Sequence, residues 1–329
     1  MPDVPGSTTF VTCIEAGLLE KQVVLLARSL RALDTDIARM GFVAVQPRRD
    51  IALARETHCA LAELNVRVVS ERLVTAFDWN PHLNKAAAMA WAERNVTSPF
   101  LTWLDSDLVF LRPPEGLIPD AGTSFVAMSA NIDQGTDGTD ANAPYWERVS
   151  QIVGVPYQAA ALIPSTPPAK PIFEYYHGGI YTVRTADRIS HAHQAFFLKL
   201  LEARIASQSC GTFHHDQVSL SMAVRTAPGA RRLYSWEMNY SISPRQLDQI
   251  DPAMLARAMV LHYHDAFLPK GYAMMQGVLE ALPEGPRQLI AAAAPITTTI
   301  PVLPRLIRRI RGRRRRLLMQ KHKMLCETV

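Results

Sequence analysis

Two rhythms of apolar positions alternate along the first hundred residues. Thr9-Phe10-Val11-Thr12-Cys13-Ile14 is a short, β-rich apolar run. Over 18–33 the apolar positions Leu19, Val23, Leu26 and Leu30 recur at helical spacing. Residues 42–45 read as a second strand, 52–64 as a helix and 66–69 as a third strand. Residues 83–94, rich in Ala and Met, predict a further helix, and 100–104 a buried strand ending at Asp105. Strands separated by helices of this length predict an α/β fold with a mixed, mostly parallel, Rossmann-like sheet.

The second half is less regular. Strands are predicted at 124–129, 179–183 and 259–262, and helices at 186–206 and 216–224. Two long loops intervene, one rich in Asp, Gly and Asn over 131–143 and a proline-rich one over 164–171. Loops of that length in a compact domain are often lids or binding loops. Beyond Pro286 the pattern changes, so a single domain is expected over 1–285 and a tail over 286–329. The tail begins apolar and Thr-rich, interrupted by Pro295, Pro301 and Pro304, and then turns basic.

Charge sharpens that division. The 329 residues carry a formal net charge of +5, yet ten Lys and Arg fall between Arg305 and Lys323 without one acid. The remainder holds 25 basic against 30 acidic residues, so the body is acidic. Apolar residues interleaved with the arginines point the tail to an anionic membrane surface. Cys13, Cys59, Cys210 and Cys326 form no C-x-x-C pair and read as reduced thiols. There is no basic-then-apolar start and no run of about 18 apolar residues. The expectation is a cytoplasmic protein, peripheral on the inner face of a membrane.

The candidate chemistry centres on Trp103-Leu104-Asp105-Ser106-Asp107. Two carboxylates one residue apart at a strand's carboxyl end can converge on one hard cation, which can also hold diphosphate oxygens. Open α/β sheets collect ligands at that end of their strands. Solvated turn carboxylates are the bland alternative. Asn84-Lys85 opens a helix, where a point charge adds to anion-favouring amides. His177-Gly178-Gly179 offers close backbone approach or a plain tight turn. Asp216, followed by Gln217, either caps the helix it opens or faces a reacting group. His262 and His264 fall on one side of an extended chain, so either could join the acids on a metal.

In order and spacing over about 8–275, these segments resemble the GT-A glycosyltransferases with a D-x-D motif. They are distantly similar to the retaining glycogenin and galactosyltransferase group. The resemblance implies a nucleotide-sugar donor, most often a UDP-sugar, and Mn²⁺ or Mg²⁺ on Asp105, Asp107 and one of His262 and His264. It implies donor-phosphate contacts from Asn84 and Lys85, and sugar or acceptor contacts at His177, Gly178 and Gly179. Asp216 and Gln217 take the catalytic positions. The group's late H-x-x-G-x-x-K-P-W segment is matched only in His262. Asp265 replaces its Gly, and Pro269-Lys270-Gly271 stands where Lys-Pro-Trp is expected, so Lys270 is a displaced candidate for the diphosphate lysine. The acceptor expected from the basic tail is a lipid-linked glycan or envelope polysaccharide. Two rivals remain. A sugar-nucleotide pyrophosphorylase needs a Gly-rich first loop, but Glu15-Ala16-Gly17-Leu18 has one glycine. A nucleic-acid-binding protein would act through the arginines, although the acidic body carries no recognised binding motif and no specific nucleic-acid partner is expected.

Overall fold

The structure is a computed structural model that describes residues 7–131, 133–166, 169–298 and 302–329. The residues at the very start, and Pro301, lie outside these. In chain order the first half runs β1 (Thr8–Cys13), α1 (Leu18–Arg31), β2 (Gly41–Gln46), α2 (Arg55–Glu63), β3 (Arg67–Ser70), α3 (Leu83–Asn95), β4 (Phe100–Leu104), β5 (Leu108–Phe110) and β6 (Thr123–Ser129). The second half continues with α4 (Ala143–Val153), β7 (Leu162–Pro164), β8 (Pro171–Phe173), β9 (Tyr176–Arg184), α5 (Ile189–Ala203), β10 (Ile205–Ala206) and α6 (His215–Val224). It ends with β11 (Ala230–Leu233), β12 (Tyr240–Ser241), α7 (Pro252–Arg257), β13 (Val260–His262), α8 (Pro269–Leu279), α9 (Glu284–Ala293), α10 (Val302–Met324) and β14 (Glu327–Thr328).

Seven strands form the central sheet in the order β11-β6-β9-β4-β1-β2-β3. Every pairing is parallel except the two made by β9, which runs antiparallel to both β4 and β6. The mixed, mostly parallel α/β sheet is therefore observed. Alternation along β1 sorts its side chains: Phe10, with Ile14 just past the strand, packs with α1, while Val11 packs with α3. Burial on both faces explains the near-continuous apolar run of this strand. Gly17, with φ 102°, turns the chain from β1 into α1, and its N–H donates to Glu20 Oε2 at 2.6 Å.

α3 is buried all round from Leu83 to Glu93, as its Ala-rich composition requires. Its two ends carry polar work. At the far end Glu93 accepts from the Ser190 and His191 N–H groups, 2.9 and 3.0 Å away, and caps α5. At the near end Asn84 and Lys85 face the carboxyl edge of the sheet.

The helices α4 and α8 and the β7–β8 hairpin were not anticipated; the hairpin flanks the proline-rich loop. In a second small sheet, β12-β13-β5, the strand expected at 259–262 is β13, whereas β5 and β12, three and two residues long, escaped the sequence pattern. The position expected for a boundary, Pro286, lies inside α9. Ile290 and Ile296 are buried in a cluster with Leu25, Leu261 and Phe267, so the apolar start of the tail packs on the body.

α10 is a continuous helix through Gly312 and the Arg313–Arg316 run, with two unlike faces. Its inner face ties to the body. Arg311 meets Asp50 at 2.7 Å, Arg315 pairs with Asp50 and Asp78, and the His322 ring lies tilted against Trp79 at 4.7 Å. Its outer face exposes Leu306, Ile310, Leu317 and Met324. β14 then pairs with β10 and fastens the end of the chain.

Two imidazoles deep in the fold set an expected pH dependence. Burial pushes His193 and His215 down to about 4 from the usual 6.5. Between those values the unfolded chain holds protons that the folded chain refuses, so stability falls as pH falls through that window. Thermal unfolding should show a midpoint steady above pH 7 and dropping between pH 6.5 and 4. His193→Leu should flatten part of that drop.

Candidate active site

The carboxyl edge of the sheet opens into a cleft of about 580 Å³ lined by Glu15, Arg48, Asn84, Lys85, Asp105, Asp107, His177, Gly178, Gly179, Asp216, Gln217, His262 and His264, among others. Of the residues singled out by sequence, only Lys270 stands apart. It is exposed in the first turn of α8 and does not line the cleft.

The acidic turn is held from two sides. The Asp105 N–H donates to Gly179 O at 2.9 Å, and the Tyr263 N–H donates to Asp107 O at 3.0 Å. The antiparallel pairing of β5 with β13 sets His262 opposite Leu108 and so beside Asp107. The chain then leaves the strand, and His264 takes a left-handed φ of 44°. Such backbone is uncommon for a non-glycine residue and is held in place by its surroundings. Both rings still turn to the same acid: His262 Nε2 lies 3.3 Å from Asp107 Oδ1, and His264 Nδ1 lies 3.7 Å from Asp107 Oδ2.

The far nitrogens of both rings are already engaged. His262 Nδ1 is 3.1 Å from Asn239 Oδ1, and His264 Nε2 is 2.8 Å from Ser241 Oγ. An amide oxygen only accepts, so His262 Nδ1 carries its proton and, in the neutral ring, aims the Nε2 lone pair at Asp107. A hydroxyl can serve His264 in the same way. The three candidate ligand atoms lie within 4.8 Å of one another. A carboxylate with two imidazoles, each fixed by a partner on its outer nitrogen, is a donor set suited to a divalent transition metal. These residues fit a cation.

The titrations agree with that geometry. Burial raises the Asp107 carboxyl, but His262 and His264 outweigh it and bring the group to about 2. Burial lowers His262, while Asp107 and Asp105 raise it further, so the net shift is upward. His264 is pushed down to about 4 by burial and by His262.

Asp105 faces the other way. Its Oδ1 accepts from Trp103 Nε1 at 2.7 Å and lies 3.1 Å from Lys85 Nζ. Lys85 in turn donates to Gly178 O at 2.8 Å and sits 3.5 Å from Asp216 Oδ2. Burial lowers Lys85, but Asp105 and Asp216 raise it above its usual value and keep it charged. Asp216 makes no cap for α6; its carboxylate points into the cleft, 3.8 Å from His82 as well. Burial raises it, yet His82 and Lys85 bring it to about 2.

The paired glycines have a structural reason. A Cβ on Gly178 would come within 3.2 Å of Lys85 Nζ, and one on Gly179 within 3.1 Å of His262 Cε1 and 3.0 Å of His177 Cε1. The space they leave is used by the chain's own site residues. Gly179→Ala should therefore displace His262, weakening Mn²⁺ binding roughly tenfold in a calorimetric titration.

Sequence reasoning missed Asn239, which also contacts His177 Nδ1 at 2.9 Å and so joins the two imidazoles. It missed another pair lining the cleft too, where Arg48 forks onto Glu15 at 2.6 and 2.9 Å and Glu15 accepts from Asn84 Nδ2 at 3.0 Å. Arg48 lies two residues past the end of β2, the one signal that could have found it.

A family model described as the Rhodobacterales glycosyltransferase domain matches residues 10–228. Among solved structures, the galactosyltransferase LgtC, determined with donor and acceptor sugar analogs, is similar with a TM-score of 0.50 and 12% identity, over 91% of this chain and 99% of that one. The bifunctional glycosyltransferase WbbM in its apo form aligns with a TM-score of 0.49 and 11% identity, over 89% of this chain. The chain spans about half of WbbM, 53%. No curated protein matches by sequence. The fold is that of the GT-A glycosyltransferases.

Proposed function

The chain belongs to the Rhodobacterales glycosyltransferase domain family, and from that premise we propose that it moves a sugar from a UDP-sugar to a glycan or lipid-linked acceptor with the help of Mn²⁺ or Mg²⁺. The observation that carries this reading is the convergence of Asp107, His262 and His264 beside a Lys85 already flanked by carboxylates. Asp107 and the two imidazoles would hold the cation, whereas Asp105, expected from sequence on the same cation, turns to Trp103 and Lys85 instead. Bound there, the cation would supply Lewis-acid stabilisation to a departing diphosphate.

The chain's own residues do the rest. Lys85 offers a fixed positive charge to the phosphates, and Asn84 and the Glu15–Arg48 pair hold the helix end from which it projects. Asp216, ionised at neutral pH, sets a negative charge beside the position of the anomeric carbon. Gln217 stands next to it on the first turn of α6. His177, pushed down to about 3 by burial and by His262, stays neutral and steadies Asn239. A ligand that binds only the folded state raises its melting temperature by mass action. UDP with Mn²⁺ should therefore raise it, and UDP with EDTA should not. Equal shifts in both would remove the metal from the reading.

The exposed face of α10 supports the tail's expected partner, an anionic membrane. Four apolar side chains lie along one side of the helix with arginines flanking them, while its inner face holds the body. Among the described residues no helix is long and apolar enough to cross a membrane. Insertion of such a face adds to roughly 1 kcal/mol per cation near an anionic surface. The protein should sediment with phosphatidylglycerol vesicles at low salt, and Leu306→Ser with Ile310→Ser should release it. Indifference of the wild type to such vesicles would remove the membrane and, with it, the argument for a lipid-linked acceptor.

A further inference from the structure

One apolar side chain in the cleft serves no purpose described so far. Phe213 is the exposed one among the described Phe, Tyr and Trp residues, with 61% of its surface open, and it lines the cleft. Its ring is not loose. It makes T-shaped contacts with His82 at 5.6 Å and with His214 at 4.8 Å. The Phe213 N–H donates to Cys210 O at 3.1 Å, and the turn is closed by paired backbone bonds between Ser207 and Gly211. Single exposed apolar side chains are ordinary on a surface, but this one lines the cleft, where a ligand can cover it.

The contacts along the cleft order its chemistry. His264, His262 and Asp107 stand at one end; Lys85 touches Asp105 and Asp216; Asp216 touches His82; and His82 touches Phe213. If the diphosphate lies at the metal-binding end and the anomeric carbon beside Asp216, what lies beyond Asp216 is the incoming acceptor. There the cleft offers a flat apolar face flanked by imidazoles, together with Gln217 Nε2, which is 3.2 Å from His214 Nδ1. A pyranose ring has a matching shape: one face carries weakly positive C–H groups, and the rim carries hydroxyls. The aromatic face is electron-rich and takes the C–H groups, while imidazole and amide take the hydroxyls.

We propose that Phe213 is the stacking platform of an acceptor subsite, with His82 and His214 at its rim, and that the acceptor presents a pyranose C–H face to it. This rests on the sugar-transfer reading above and names the class of its second substrate. The test uses the full chain with methyl α- and β-pyranosides of glucose, galactose and mannose as probes, each with and without UDP and Mn²⁺. Saturation-transfer NMR reads transfer from aromatic protons to pyranoside C–H protons. Wild type should show it for at least one probe, Phe213→Ala should weaken that binding roughly tenfold, and Phe213→Trp should restore it. Removal of an exposed side chain takes no core volume, so a melting curve should confirm that Phe213→Ala is folded. Unchanged binding in Phe213→Ala, or no binding of any pyranoside by wild type, overturns the proposal. Transfer to the uracil protons of UDP alone also overturns it and makes the ring a nucleobase platform. Failure of the donor reading shows separately, as loss of the Mn²⁺-dependent melting shift with UDP, while the pyranoside signal is read without UDP.

Discussion

Asp107→Ala is expected to abolish Mn²⁺-dependent UDP binding and to lower sugar transfer by at least two orders of magnitude, with the fold intact. The carboxylate lies at the turn after β4, so its truncation removes no core volume. It is also the acid toward which both imidazoles point, at 3.3 and 3.7 Å. Removing it leaves two neutral nitrogens, a weak site for a hard cation. Asn239→Leu gives the graded counterpart. It frees His262 Nδ1, while His177 Nδ1 keeps the Gly179 N–H at 3.0 Å, and loss of such an outer partner typically costs 10–100-fold in metal affinity. His262→Ala should be more damaging than His264→Ala, because His262 is buried and pinned by Asn239, while the His264 ring is partly exposed and held through Ser241. Isothermal titration of Mn²⁺ checks the whole series. Wild-type affinity in Asp107→Ala would refute the metal site at a stroke, and equal, unchanged titrations for both histidine variants would refute histidine ligation.

The parts of this molecule that could be read from sequence are those with local causes. β1, β2, β4 and α1 announce themselves through periodicity, because each buries a face or two against the core. Asp105 and Asp107 stand out because a polar pair closes an apolar run. What periodicity could not show is how β13 returns to β5. That ladder is three residues long, and its register was set by tertiary packing of Leu261 and Val109 in the same buried cluster. Without it, His262 and His264 could be placed only by extended-chain alternation, whereas His264 reaches Asp107 through a left-handed kink. Asn239 was illegible for the same reason: its neighbours Trp236, Glu237 and Met238 give no pattern, and its partners are 23 and 62 residues away. α10 shows the converse. Arginine repetition hid which side of this helix meets the body, because the side chains that bind the body and those that face water are the same residue type.

The second large effect is expected at Asp216. Transfer by Asp216→Asn should fall by roughly 10²–10³-fold in kcat, with the KM for the donor sugar changed only a few-fold. The argument begins from its charge state. With His82 at 3.8 Å and Lys85 at 3.5 Å, its carboxyl is held near 2 against a burial that would otherwise raise it. A general base works best with a pKa near the operating pH, and a group at 2 is a poor proton acceptor at neutrality. What a permanently ionised, buried carboxylate does well is oppose a positive charge that grows during reaction. Glycosyl transfer develops such charge at the anomeric carbon, in an oxocarbenium-like transition state. The amide of Asn keeps the shape and loses the charge, so the ground state should be little altered and the transition state left unsupported. Lys85 would keep Asp105 at 3.1 Å and Gly178 O at 2.8 Å, so the melting temperature should hold. Two measurements decide the matter. The pH–rate profile of the wild type should show no limb from Asp216 between pH 5 and 8, since the group does not titrate there. A limb in that range that disappears in Asp216→Asn would make it a proton-transfer residue instead. A variant with full turnover would leave Asp216 as no more than the counter-charge of Lys85.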